Sequence, residues 1–467
     1  MLFNSLPFLF FYLIVTPLFF LIKDSRRWIL LLLASCYFYI TFVPAYLLIL
    51  IFTIVVDYYA ALAIEKTVEQ KRRKRLLILS LIANIGVLAV FQYYNFFVSN
   101  INTLLGGHDS LLYLTILLPI GLSFHTFQAM SYTIEVYRGN QKAERHFGIY
   151  ALYVMFYPQL VAGPIERPQN IIHQFYEKHP FSYDNLKAGL MQIATGLFKK
   201  VVIADRLAIL VDGAYMHPRE QSGLTLLVST LFYSFQIYCD FSGYSDIAIG
   251  TARTMGFNLM ENFRAPYFSR SVNEFWTRWH ISLSTWFRDY LYIPLGGNRV
   301  GLSKWLLNLM IVFIVSGFWH GANWTFIIWG ALHGTFLITH IGVNKLLQRT
   351  GYSFKPNPLK TFLQIIFTFL LISLAWVFFR AGSVADAFYI VKSIFHFSLK
   401  DNTTFALNNN EMLFSVFVIA VLCLKERFYL TIPTKNTVLF VLLFTTIIFS
   451  CYFFGVFNNR QFIYFQF

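Results

Sequence analysis

The chain has 467 residues, of which 57% are hydrophobic and only 13% charged, and it carries 53 Phe and 28 Tyr. That balance excludes an ordinary soluble globular protein, where charged residues make up about a quarter of the chain, and points to lipid as the main solvent. The formal net charge of +15 is not read as a nucleic-acid signature. The basic residues fall in short connections between apolar runs, where orientation rules retain them on the cytoplasmic side and where they also attract polyanions.

Apolar runs of about 20 residues, the length that crosses a bilayer, recur from Phe3 to Phe454. They predict an all-α polytopic membrane protein with roughly eleven to thirteen membrane helices and further re-entrant or interfacial helices around a central tunnel. The first run, Phe3 to Ile22, has no basic segment before it and no small-residue cleavage site, so it reads as a retained span rather than a secretion signal. Lys23, Arg26 and Arg27 place the first connection inside; Lys66, Lys71, Arg72, Arg73, Lys74 and Arg75 do the same for the third. The connection from Ser99 to Ser110 lacks Lys and Arg and is expected outside, while Arg138, Lys142 and Arg145 return the chain to the cytoplasm. The amino terminus is therefore expected outside.

From about Gly163 to Arg299 the rhythm of span and loop gives way to mixed segments rich in Arg, aromatic residues, Pro and Gly. They predict interfacial or re-entrant helices around a cavity, because irregular backbone survives at membrane depth only against protein or water. Further on, Lys345, Arg349, Lys355 and Lys360, then Lys425, Arg427 and Lys435, mark inside connections, and the Asn-rich stretch Asp401 to Glu411 fits outside. A last span from Thr437 to about Phe454 delivers the tail, residues 458–467, to the extracytoplasmic face. With no internal repeat or linker, residues 1–467 read as one membrane domain. Cys36, Cys239, Cys423 and Cys451 sit apart in apolar or aromatic surroundings and imply no metal.

Polar groups inside apolar runs are costly and therefore functional candidates: Asp57, His125, Glu135, Asp240, Asp246, His280, His320, His333 and His340. His320 lies in Ser316-Gly-Phe-Trp-His-Gly-Ala-Asn-Trp324. Gly317 and Gly321 permit close helix approach or a local break there, and Trp319 and Trp324 can wall off a pocket. An imidazole, with an unperturbed pKa of about 6.5, suits a base for a hydroxyl proton; the structural alternative is a neutral His bonded between helices. His280 and Ser284 are one turn apart on the aromatic segment Glu274 to Tyr290, whose Arg278 and Arg288 read as head-group-level cations. Asp240 and Asp246 bracket Phe-Ser-Gly-Tyr-Ser, which includes Tyr244. This Gly-interrupted patch fits a tunnel lining or cation site, and equally the capping of a broken helix. His125 and Glu135 read as cavity-lining or packing groups. The tail ends Phe462-Ile-Tyr-Phe-Gln-Phe467, either an aromatic anchor at the outer interface or the source of a phenol, Tyr464, with a pKa of about 10 and easier to activate than a sugar hydroxyl.

Five blocks carry a resemblance: Phe156-Tyr-Pro-Gln-Leu-Val-Ala-Gly-Pro-Ile165, Tyr238-Cys-Asp-Phe-Ser-Gly-Tyr-Ser-Asp246, Glu274-Phe-Trp-Thr-Arg-Trp-His-Ile-Ser-Leu-Ser284, Phe287-Arg-Asp-Tyr-Leu-Tyr-Ile-Pro-Leu-Gly-Gly-Asn-Arg299 and Gly317-Phe-Trp-His-Gly-Ala-Asn-Trp324. In these the chain resembles the membrane-bound O-acyltransferase (MBOAT) family, in its alginate O-acetylation branch. The resemblance implies that His320 is the catalytic histidine and His280 a second active-site histidine. It implies a tunnel through the bilayer; the residues expected to line it are Trp319, Asn323, Ser284, Asp240, Tyr244, Asp246 and Arg288, and Asn323 or backbone N–H groups are the candidate oxyanion donors. It further implies acetyl-CoA as a cytoplasmic donor without a tightly bound cofactor, Tyr464 as a transient acyl carrier, and an extracytoplasmic acetyltransferase or acceptor protein as partner. An exported polysaccharide is then modified from a bacterial inner membrane, and no nucleic acid is involved. The alternatives are a lipid or sterol O-acyltransferase, and a transporter of an acyl donor or glycan with Asp240 and Asp246 as its ion site.

Overall fold

Length and apolarity make helices of these runs, and lipid leaves backbone polar groups little alternative. The computed structural model describes residues 1–106, 111–115, 119–161, 163–350, 357–398, 405–428, 433–457 and 462–463, so Tyr464, Lys355 and residues 401–404 lie outside the described residues. Among the described residues the regular structure is helical, with no strand. Seven helical segments among these residues are long and apolar enough to cross a membrane: Pro44–Lys66, Gln70–Leu104, Gly223–Thr254, Leu302–His320, Trp324–Arg349, Pro358–Arg380 and Thr437–Phe454. Leu6–Leu21 is apolar but shorter, and helices such as Arg27–Ile40, Leu122–Arg138 and Asn409–Arg427 stand between these.

The organising element is Gly223–Thr254, a 32-residue helix of roughly 48 Å, buried over most of its length. It runs unbroken through Asp240, Gly243 and Asp246, which corrects the expectation of a helix interrupted at that patch. Gly243 is a packing residue. A Cβ there would meet the Gly196 carbonyl oxygen at 2.7 Å, and one on Gly250 would meet the Gly189 carbonyl oxygen at the same distance. The neighbouring helix Tyr183–Leu197 therefore lies against the central one at two glycine pairs, a small-residue contact that lets backbones approach closely.

After Leu197 the chain widens into a π-helical turn, Phe198–Ala204. The turn buries two consecutive lysines, Lys199 and Lys200, and both reach carboxylates of the central helix. Lys199 Nζ lies 2.9 Å from Asp246 and Lys200 Nζ 2.6 Å from Asp240. Wide turns of this kind change the register at which side chains leave a helix.

Elsewhere between Gly163 and Arg299 the expected short, irregular segments are present. Buried connections around the helices Val272–Arg278 and Ile281–Phe287 are held by side chains, as dry backbone requires. Asn262 Oδ1 accepts the Ser282 N–H at 3.2 Å and its hydroxyl at 2.7 Å, and Gln174 bonds both polar groups of the Asn258 backbone. Among the described residues two large apolar clusters and a small one around Leu88, Tyr93 and Leu122 fill the interior. One large cluster contains Phe241, Tyr244, Trp286, Trp319 and Phe462, the other Tyr238, Trp279, Trp329, Trp376 and Ile463.

Candidate active site

His280 sits between Val272–Arg278 and Ile281–Phe287 with a left-handed backbone, φ 42° and ψ 56°. For a side chain with a Cβ this costs about 1–2 kcal/mol, and it persists only where surroundings impose it. Here the Ile281 N–H donates to the Asn262 carbonyl at 3.0 Å, and the Ser284 N–H to the His280 carbonyl at 2.9 Å. The imidazole is fully buried, edge-on to Phe241 at 4.6 Å between ring centroids and 6.5 Å from Trp319.

His320 is the last residue of Leu302–His320. Trp319, Trp329 and Phe379 enclose its ring edge-on, at 4.9, 5.1 and 5.3 Å. Trp319 thus stands between the two histidines. Beyond Trp329, at 4.8 Å, lies a third imidazole. His333 Nδ1 accepts the Trp276 indole N–H at 3.3 Å, and since an indole only donates, the proton of neutral His333 is on Nε2. His280, Trp319, His320, Trp329 and His333 form one chain of ring contacts.

Around His320 several buried polar atoms have no hydrogen-bond partner among the described residues: the indole N–H groups of Trp319 and Trp329 and Nε2 of His333. Leaving such a group unpaired costs about 1–3 kcal/mol. Two donors flanking an imidazole in an aromatic enclosure are suited to an oxygen that gains charge during a reaction.

The remaining sequence candidates divide. Asn323 Oδ1 accepts the Thr325 N–H at 3.0 Å and caps the Trp324–Arg349 helix, so its oxygen is committed to structure. Ser284 donates to the Trp279 carbonyl at 3.1 Å. With the exposed Arg288 it lines a groove of about 330 Å³ that also touches Trp276, Phe313 and Ser316; neither residue belongs to the histidine enclosure. Asp246 lines a polar cavity of about 630 Å³ with Lys199, Arg253, Arg264, Lys425 and Glu426. Asp240 and Asp246 are each held by a lysine, and among the described residues no group of three His, Cys, Asp or Glu is placed to bind a metal ion. The two lysines occupy the carboxylates that a cation at this pair would need. Tyr244 stacks on Phe462 at 4.6 Å. Phe462 and Ile463 are buried, so this part of the tail is not an interfacial anchor.

Sequence reasoning left Lys199, Lys200 and Trp329 unassigned and kept His333 only as a polar candidate. The lysines had a signal, two adjacent cations inside the apolar run from Ile193 to Ala204.

Fold and site together define a polytopic, all-helical membrane protein with a histidine centre buried among its helices. The chain belongs to the MBOAT, membrane-bound O-acyltransferase, family, which matches residues 81–381 and so includes His280, His320 and the whole central helix. A probable alginate O-acetylase of Pseudomonas aeruginosa is 42% identical over 334 residues, 71% of this chain and 62% of that protein. A peptidoglycan O-acetyltransferase of Helicobacter pylori is 39% identical over 360 residues, covering 72% of this chain and 67% of the relative. A teichoic acid D-alanyltransferase of Bacillus subtilis is 29% identical over 265 residues, 54% of this chain and 65% of its own length. The chain thus spans about two thirds of the length of the relatives it matches.

Proposed function

We propose that this chain is a membrane-bound O-acyltransferase that passes an acetyl group from a cytoplasmic thioester, acetyl-CoA, toward O-acetylation of an exported cell-envelope polysaccharide. The observation that carries the reading is the aromatic enclosure of His320 with His280 one ring away, inside the region matched to the family. His320 takes the proton of an acceptor hydroxyl as its oxygen attacks the thioester carbonyl. The tetrahedral oxyanion receives hydrogen bonds from the Trp319 and Trp329 indoles that flank the imidazole. The C–S bond then breaks, the thiolate takes the proton from the imidazolium, and an ester remains. His280 orients the acceptor, and the surrounding rings exclude the water that would hydrolyse the donor.

Three further parts complete the proposal. The cavity lined by Arg253, Arg264 and Lys425 faces the cytoplasm, on the sign of its connections, and offers cations to a donor's phosphates. Tyr464 is the acceptor hydroxyl and transient carrier, from which an extracytoplasmic acetyltransferase removes the acetyl group. The chain resides in a bacterial inner membrane with both ends outside. The relatives named for alginate, peptidoglycan and teichoic acid modification favour a cell-envelope polymer over a lipid or sterol acceptor.

The test is acetyl transfer from labelled acetyl-CoA by the protein in nanodiscs. His320→Ala should abolish it in a folded, inserted protein, and full activity would refute the assignment. Tyr464→Phe should abolish label on the tail, and undiminished labelling would leave the carrier role without support.

A further inference from the structure

Asp240 uses both carboxylate oxygens. Oδ1 lies 2.6 Å from Lys200 Nζ, and Oδ2 accepts the backbone N–H of Ile463, 223 residues further on, at 2.7 Å. Lys200 is shared with Asp205, 2.9 Å away, and all three side chains are buried. Lys200 is thus divided between two carboxylates in a dry interior, where each further donor to a carboxylate oxygen is stabilising. The tail provides a main-chain N–H. Beside it, Phe462 is 1% exposed and stacks on Tyr244 at 4.6 Å with 26° between ring planes; Tyr244 also stacks on Phe3 at 4.5 Å. Phe462 approaches Phe241 to 5.6 Å, and Phe241 is the ring against His280. Phe462 joins one large apolar cluster and Ile463 the other, so the segment lies on the seam between the two.

We propose that Asp240, held in place by Lys200, and Tyr244 form an internal receptor for the tail segment Phe462-Ile463, and that Asp240 is a positioning residue that fixes the carboxyl-terminal segment one aromatic ring from His280. The docking stands on the contacts of Phe462 and Ile463. Its consequence for acetyl transfer rests on the proposed function. Because the receptor binds the main chain at 463, it tolerates a change of side chain there and rejects loss of the N–H.

Hydrogen–deuterium exchange of the full chain in nanodiscs, read on the Ile463 amide and, where proline removes it, on the Phe462 amide, tests the docking without reference to activity. The wild-type tail should exchange slowly. Asp240→Ala and Ile463→Pro should each accelerate it about ten- to a hundred-fold, the loss of a charge-assisted bond, whereas Ile463→Val should keep protection. Asp240→Ala leaves Lys200 with Asp205 alone and risks misfolding; Ile463→Pro removes only the tail's donor. Wild-type protection in Ile463→Pro overturns the docking. Unchanged exchange in Tyr464→Phe, whether or not acetyl transfer survives, supports a docking independent of the carrier role. Accelerated exchange in Tyr464→Phe would place the anchor at residue 464 and overturn the assignment to Asp240.

Discussion

The position of His320 depends on how closely two helices cross, and alanine at Gly330 tests that dependence. A Cβ on Gly330 would lie 2.2 Å from the Phe313 carbonyl oxygen and 3.3 Å from the Gly317 Cα, while one on Gly317 would lie 2.2 Å from the Phe326 carbonyl oxygen; ordinary contact begins at 3.4 Å. Each of these obstacles is backbone and cannot rotate aside, so Gly330→Ala must open the crossing by roughly 1 Å, an overpacking that typically costs about 1–3 kcal/mol. His320 follows Gly317 by one turn, and a misplacement of about 1 Å at a reacting group costs about 10²-fold in rate. The variant should therefore fold with a lowered thermal midpoint and lose about two orders of magnitude in acetyl transfer at saturating donor. Gly342, on the same helix, has nothing within 4 Å of the point where a methyl group would stand, and alanine there should leave activity unchanged and stabilise by at most about 1 kcal/mol. Wild-type rate and stability in Gly330→Ala would refute the reasoning.

Trp319→Phe and Trp329→Phe each remove an indole N–H beside His320 and preserve most of the ring. Each should lower kcat by about 10²–10³-fold with little change in KM; a change in KM alone, measured by steady-state transfer, would make them packing residues. Lys200→Met leaves Asp205 and Asp240 facing one another without a cation and should cost about 3–5 kcal/mol in thermal or denaturant unfolding. Arg145→Ala breaks the exposed pair with Glu65 and should cost no more than about 1 kcal/mol; equal losses in the two variants would show that burial does not govern these pairs.

The helical membrane architecture was legible because a bilayer requires a minimum apolar run of about 20 residues, which recurs along the chain, and Lys and Arg punctuate the connections. Local backbone needs were legible near His320 too. Gly317 does mark a close crossing, and Gly321 meets the Phe326 ring, where a Cβ would stand 2.3 Å away. The same reasoning misread Gly243, since a missing Cβ signals a break and a tight crossing equally. The distinguishing pattern spans two segments, Gly189 and Gly196 against Gly243 and Gly250, each pair seven residues apart as heptad packing requires. Asn323 carries a second signal, because Asn before a helix is a capping residue, and its Oδ1 makes that bond.

What stayed hidden depends on backbone register and on chain ends meeting the middle. In a regular α-helix Lys199 and Lys200 diverge by about 100°, so a sequence reading assigns them to different faces. The π turn sends both toward the central helix, where they neutralise Asp246 and Asp240. The Asp240 contact with the tail is made to a backbone N–H, for which residue identity carries no signal, and Phe462 looks the same whether it faces lipid or a buried ring. One consequence follows for the central helix. Asp246 opens on the polar cavity, and Asp240, six positions earlier, grips the tail beside the ring that touches His280. The two lysines therefore hold apart two carboxylates that serve different ends of the site. Exchanging the charges of the Lys199–Asp246 pair should alter the cavity and leave tail protection intact, while exchanging those of Lys200–Asp240 should release the tail.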